Sequence, residues 1–154
     1  MDNFKVMQIN NLNITGLAEL VDESNCEGFR FLNRLIHDYM NGTNTFNKFG
    51  EALYGVFNKK NKIVAIGGLN IDPFSAEELI GRLRRFYVCK EYRRNGIGSM
   101  LLTKIIIEAN HYFKVLVLHT DTIQGDRFYT AHGFIKDNYY PNSTHYKVFE
   151  RKIY

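Results

Sequence analysis

The segment from Leu79 to Asn110 constrains the fold more than any other part of the chain. It runs from an apolar extended stretch, Leu79 to Val88, through the basic turn Arg93-Arg94-Asn95-Gly96-Ile97-Gly98-Ser99, into a stripe of Ile97, Leu101 and Ile105 at helical spacing. A strand that feeds a helix through so short a turn belongs to a layered α/β arrangement. Within the strand, Leu83 is apolar at an odd position while Phe86 and Val88 are apolar at even ones, so a strict two-residue period cannot bury all three. One extra residue at Arg84-Arg85 restores a common face, which predicts a β-bulge there, a feature frequent beside active sites.

The remaining chain supplies short elements around this unit. Leu17 to Val21 and Phe29 to Met40 read as helices. Leu53 to Phe57 and Ile63 to Leu69 read as two strands of a hairpin across the polar run Asn58 to Lys62. Val115 to Leu118 is continuously apolar, as in a strand covered on both faces. A last helix spans about Ile123 to His132, with Asp121 or Thr122 as N-cap and Gly133 as its C-terminal glycine. Strands near Phe134 to Asp137 and Thr144 to Ile153 flank a Tyr139-Tyr140-Pro141-Asn142-Ser143 loop. The order ααβββαβαββ predicts a mixed sheet with flanking helices, and with 154 residues, no repeat and no linker, a single domain over 1–154.

An apolar content of 45% is enough for a core and argues against disorder. The sequence contains no run of 18 apolar residues and no secretory leader pattern, so a cytoplasmic location is expected, without a membrane partner. Cys26 and Cys89 match no metal or redox spacing and are expected to be reduced. His37, His111, His119, His132 and His145 share no ligand spacing, so no metal is expected, and each is assigned a surface or capping role.

Net charge is only +4, yet Arg82, Arg84, Arg85, Lys90, Arg93 and Arg94 crowd into thirteen positions, which points to an anionic partner. The glycine turn opens a helix, where unpaired N–H groups and the positive end of the macrodipole favour phosphate. Two phosphate motifs fail in detail. The dinucleotide fingerprint requires glycine where Leu101 stands, and the nucleoside-triphosphate loop requires a Gly-Lys-Ser/Thr ending that is missing.

Arg93, Gly96 and Gly98 instead form an R-x-x-G-x-G signature, and with Leu83 to Val88, Phe128-Tyr129 and Gly133-Phe134 the chain resembles the GCN5-related N-acetyltransferases over essentially its whole length. The resemblance implies a mostly antiparallel mixed sheet with a splayed central strand pair, and acetyl-coenzyme A as cosubstrate in the cleft so formed. It assigns the pyrophosphate to Arg93, Arg94, Asn95, Gly96, Ile97, Gly98 and Ser99, chiefly through backbone N–H groups. Backbone groups of Phe86 and Val88 pair with the pantetheine arm, and a bulge N–H polarises the thioester carbonyl. On this view Gly98→Leu fills the pyrophosphate space without unfolding the chain. Thr122 and Gly125 depart from the asparagine and alanine of many members, which puts coenzyme contacts from that helix in doubt.

The implied reaction is direct acetyl transfer to a primary amine, with Tyr129 as the acid that protonates the departing thiolate. No base is assigned: Arg82 precedes Leu83 where the family often has a glutamate, and Asp72, Glu77, Glu78, His119 and Asp121 are solvated charges or caps in the first instance. A lone Cys89 reads as a small buried residue rather than an acetyl carrier. Expected partners are a small-molecule or peptide amine, with a homodimer allowed and no nucleic acid. Two alternatives remain, a non-catalytic acyl-coenzyme A sensor and, less favoured because the charge gathers at one turn, a basic nucleic-acid-binding module.

Overall fold

Residues 3–12, 16–77 and 79–150 are described by the computed structural model. The Asn58 side chain accepts from the N–H groups of Lys60 and Lys62, each at 2.9 Å, and closes the hairpin between β2 (Ala52–Phe57) and β3 (Ile63–Ile71). An edge strand β1 (Lys5–Gln8) precedes α1 (Ala18–Cys26) and α2 (Phe31–Met40). After β3 come β4 (Ile80–Val88), a 3-10 turn at Lys90–Tyr92, α3 (Ile97–Tyr112), β5 (Val115–Leu118), α4 (Ile123–Ala131), β6 (Ile135–Lys136) and β7 (His145–Val148). The strands form one sheet in the order β1-β2-β3-β4-β5-β7-β6, antiparallel throughout except for β4–β5.

Helices cover both faces. Ile97, Leu101, Leu102 and Ile105 of α3 pack with Leu69, Leu83 and Tyr129 on one side. Leu20 and Val21 of α1 and Leu32 and Leu35 of α2 pack with Leu53, Ile66 and Tyr87 on the other. This double cover explains why nearly all of β3 is buried.

The parity conflict in β4 is resolved by a bulge, as the sequence predicted, but at Arg85-Phe86, one residue later than the expected Arg84-Arg85. Ile66 pairs with Tyr87 but Gly68 pairs with Arg84, so Gly67 alone faces Arg85 and Phe86, and Arg85 adopts a left-handed φ of 58°. Leu83, Phe86 and Val88 therefore all reach the α3 face, while Tyr87 faces α1 and α2. Gly67 leaves room for this arrangement, because a Cβ there would lie 2.8 Å from the Phe86 ring and 2.9 Å from Ile105.

The β4–β5 ladder holds only from Ile80↔Val115 to Arg82↔Val117, and β4 continues to Val88 paired with β3 alone. At the end of β5 the Leu118 carbonyl accepts from Thr144 N–H at 2.9 Å, so the strand follows β7 and leaves β4. The strand pair splays here.

Element limits differ modestly from those expected. The helix expected at Leu17 to Val21 continues to Cys26, and the strand expected at Phe134 to Asp137 narrows to two residues. The last expected strand is observed as His145–Val148, its tail beyond 150 lying outside the described residues. No helix among the described residues is long and apolar enough to cross a membrane.

Candidate active site

The splay opens a cleft of about 1570 Å³ between β4 and β5, lined by Leu83, Phe86, Leu118 and Tyr129, by the glycine turn, by the α1–α2 junction and by the 142–144 loop. The turn is built from two left-handed residues, Arg94 at φ 67° and Gly96 at φ 80°. No side chain caps α3, and the first amide satisfied within the helix is that of Met100, which donates to Gly96 O at 3.0 Å. The N–H groups of Ile97, Gly98 and Ser99 thus stay unpaired among the described residues at the dipole's positive end, a fit to a diphosphate.

The two signature glycines serve different purposes. Gly96 supplies backbone conformation, since a Cβ there would meet nothing within 4 Å, whereas one on Gly98 would lie 3.3 Å from the Phe128 ring and 3.4 Å from Val88. Gly98 therefore sits close against Phe128 of α4 and Val88, and a leucine at this position would crowd Phe128 as well as the cleft that these residues line.

Arg93 does not aim its guanidinium at the cradle. It donates to both carboxylate oxygens of Glu27 and, through Nε, to Val88 O at 3.0 Å, and it lies over the Tyr87 ring at 5.2 Å. The Tyr87 hydroxyl reaches Glu23 and Glu27, and Glu23 also accepts from Lys90 N–H at 2.9 Å and from the Cys89 thiol at 3.4 Å. This knot ties α1 to the strand and turn that form the cleft. Arg93 above all holds the Glu27 carboxyl below the ordinary range; at Glu23 burial pushes upward, but the hydrogen bonds from Tyr87, Lys90 and Cys89 together outweigh it. Burial pushes the Cys89 thiol up, away from the thiolate an acetyl carrier needs.

Tyr129 lies on α4 with 8% of its surface exposed and its ring against Phe86, Phe128 and Phe134. Tyr129 lines the cleft, and its hydroxyl has no hydrogen-bond partner among the described residues, unusual for a buried tyrosine. Burial raises its pKa well above the phenol range, so the group stays protonated across physiological pH. Thr122 caps α4 by accepting from Gly125 N–H at 3.0 Å, and a Cβ on Gly125 would collide with the Thr120 hydroxyl and lie 2.9 Å from that of Thr122. The Thr122 and Gly125 departures are thus a matched pair.

The structure corrects one histidine assignment, that of His145; His37, His111 and His119 are exposed and His132 stands at the C-cap of α4. His145 is buried, with Nε2 2.7 Å from Asp126 and Nδ1 2.8 Å from Thr144 Oγ1. His132 Nδ1 lies 2.8 Å from Phe128 O, which can only accept, so Nδ1 donates there, and Nε2 lies 3.0 Å from Ser99 Oγ. That bond fixes a cradle side chain. Among the described residues no cluster suits a metal ion. Of the carboxylates weighed as bases, Asp72 is buried against Arg82 at 2.8 Å, Glu77 pairs with Lys114 at 2.6 Å, and Glu78 lies outside the described residues. Glu27 and Asp121 are the carboxylates that line the cleft among the described residues.

Residues 50–136 match the family model described as an acetyltransferase (GNAT) domain. Solved structures agree over the full length. A candidate acetyltransferase from Exiguobacterium sp. 255-15 is 29% identical with a TM-score of 0.85, covering 95% of this chain and 93% of its own. A GNAT-family acetyltransferase from Staphylococcus aureus Mu50 is 23% identical with a TM-score of 0.68, covering 96% and 100%. A GNAT-family N-acetyltransferase from Escherichia coli, solved in complex with CoA, has the same fold at 13% identity and a TM-score of 0.70, covering 96% and 82%. No curated protein matches the chain.

Proposed function

Because the chain belongs to the GNAT acetyltransferase family, we propose that it transfers the acetyl group of acetyl-coenzyme A directly to a primary amine. The observation that carries this reading is one cleft that joins an uncapped helix N-terminus to an unpartnered, protonated tyrosine hydroxyl.

In this reading the N–H groups of Ile97, Gly98 and Ser99 hold the diphosphate, with Arg94 and Asn95 at the rim, and Arg93 secures the turn through Glu27. Backbone groups of Phe86 and Val88 face the unpaired stretch of β4, where a pantetheine amide chain adds as a strand. The bulge at Arg85-Phe86 turns a backbone N–H toward the thioester oxygen and stabilises the charge that develops there. The amine nitrogen bonds to the acyl carbon, the carbon–sulfur bond breaks, and Tyr129 gives its proton to the leaving thiolate. Water takes the proton that the amine loses and re-protonates Tyr129. The raised Cys89 pKa supports direct transfer over an acetyl-cysteine step.

The test is calorimetric titration with acetyl-coenzyme A, together with thiol release over a panel of amines, amino sugars and peptides. Binding plus amine-dependent thiol release is expected. Failure to bind would remove the reading, and binding without any turnover would favour a sensor.

A further inference from the structure

The acceptor end of the cleft is strongly cationic, and its charges are unevenly matched. Arg30 and Arg34 line it from the α1–α2 side, and Arg82, Arg84 and Arg85 from β4. Three of the cleft's arginines have carboxylate partners: Arg82 with Asp72, Arg85 with Asp38 at 3.6 Å, and Arg93 with Glu27. Arg82 is further occupied, because its terminal nitrogens donate to Asn142 O and Pro141 O, each at 2.9 Å.

Arg34 and Arg84 have no ion pair among the described residues, and Arg30 makes only a 3.4 Å bond to the Asn25 carbonyl. Arg84 is the telling residue. It stands at the start of the bulge, half-buried, beside Arg82 and within electrostatic reach of Arg34 and Asp38. Burial, then Arg82, pushes its pKa down; burial, then Arg84 and Arg34, takes that of Arg85 to about 10. Both remain cationic at neutral pH. Asp38 and Asp72 push the other way at Arg84 but are outweighed, so this half-buried guanidinium is not stabilised by its surroundings and stability does not account for its placement. On the same lining, Glu27 is claimed by Arg93, which leaves Asp121 as the free carboxylate among the described residues.

Building on the acetyltransferase reading, we propose that the acceptor amine also carries an anionic group, a carboxylate or a phosphate, held by Arg84 and Arg34 with Arg30 at the rim. A guanidinium fork recognises either anion through paired N–H donors, which orients the amine toward the thioester at the adjacent bulge. A polyamine meets repulsion at the same place.

The experiment compares thiol release for matched acceptors: amino acids against their carboxamides, hexosamines against their 6-phosphates, and spermidine. The anionic member of a pair is expected to have a kcat/KM higher by about 10-fold or more, as charged hydrogen bonds suggest, and the better pair identifies carboxylate or phosphate. Arg84→Gln and Arg34→Gln should each erase most of that preference through KM, with the coenzyme Kd and Tm nearly unchanged. The exposed Lys59→Gln should leave it intact. Equal or better use of the neutral members or of spermidine overturns the proposal, as does a preference that survives both arginine variants. If nothing is turned over, titration of the coenzyme A-loaded protein with the N-acetylated acceptors decides, and no difference between anionic and neutral members overturns it. Failure to bind coenzyme A is a separate result that strikes the acetyltransferase reading.

Discussion

Ser99→Asp separates ligand binding from fold stability, because the two should move in opposite directions. Ser99 is the third residue of α3, its N–H is unpaired, and its hydroxyl lies 3.0 Å from His132 Nε2. A carboxylate in the first turn of a helix stabilises by about 0.3–1 kcal/mol through the macrodipole. For a domain of this size that is an increase in Tm of roughly 1–3 °C. The same carboxylate opposes a diphosphate at the cradle: with charges roughly 5 Å apart and an effective dielectric near 20, the repulsion is about 3 kcal/mol. Salt screening reduces it to about 1.5–3 kcal/mol, a loss of coenzyme affinity of about 10- to 150-fold. The assays are calorimetric titration with coenzyme A and thermal denaturation of the free protein. Undiminished affinity in a variant that folds as well as wild type would refute the cradle assignment.

Other perturbations probe the surrounding structure. Gly98→Leu should cost about 1–3 kcal/mol by overpacking against Phe128, visible as a lower Tm without ligand, and an unchanged Tm would contradict the packing role. The folded-state pKa of Glu27 lies below its unfolded value near 4.3, so its pairing with Arg93 and Tyr87 stabilises above that pH and is lost as pH falls through the folded value. Wild type should therefore exceed Glu27→Gln in Tm at neutral pH, and the gap should narrow as pH falls below the unfolded value and through the folded one; a constant gap would count against the knot. Cys89→Ala should keep most of the turnover, whereas its abolition would reinstate an acetyl-cysteine route.

The core of the fold was legible where one face had to be apolar. Leu83, Phe86 and Val88 disclosed the bulge because burial of all three is incompatible with a regular pleat. The edge strand β1 was missed because three of the four residues of Lys5-Val6-Met7-Gln8 are exposed and show no alternation. Glu23 in α1 and Glu27 at its C-cap, four residues apart, are a readable signature, but they lie beyond Val21, where the apolar pattern ends. The positions of the glycine turn were legible, but the packing role of Gly98 was not, since its neighbour Phe128 comes from an element thirty residues away. His145 and Asp126 are likewise joined only by the fold, through α4 packing against β7.

The most direct measurement is thiol release by Tyr129→Phe and wild type with the best acceptor, alongside coenzyme titration of both. The substitution keeps the ring packed on Phe86 and Phe134 and deletes only the hydroxyl of this cleft residue. Proton donation to the leaving thiolate predicts a fall in kcat of about 10²-fold or more, with little change in coenzyme Kd. An unchanged kcat would contradict the account and leave Tyr129 as a packing residue.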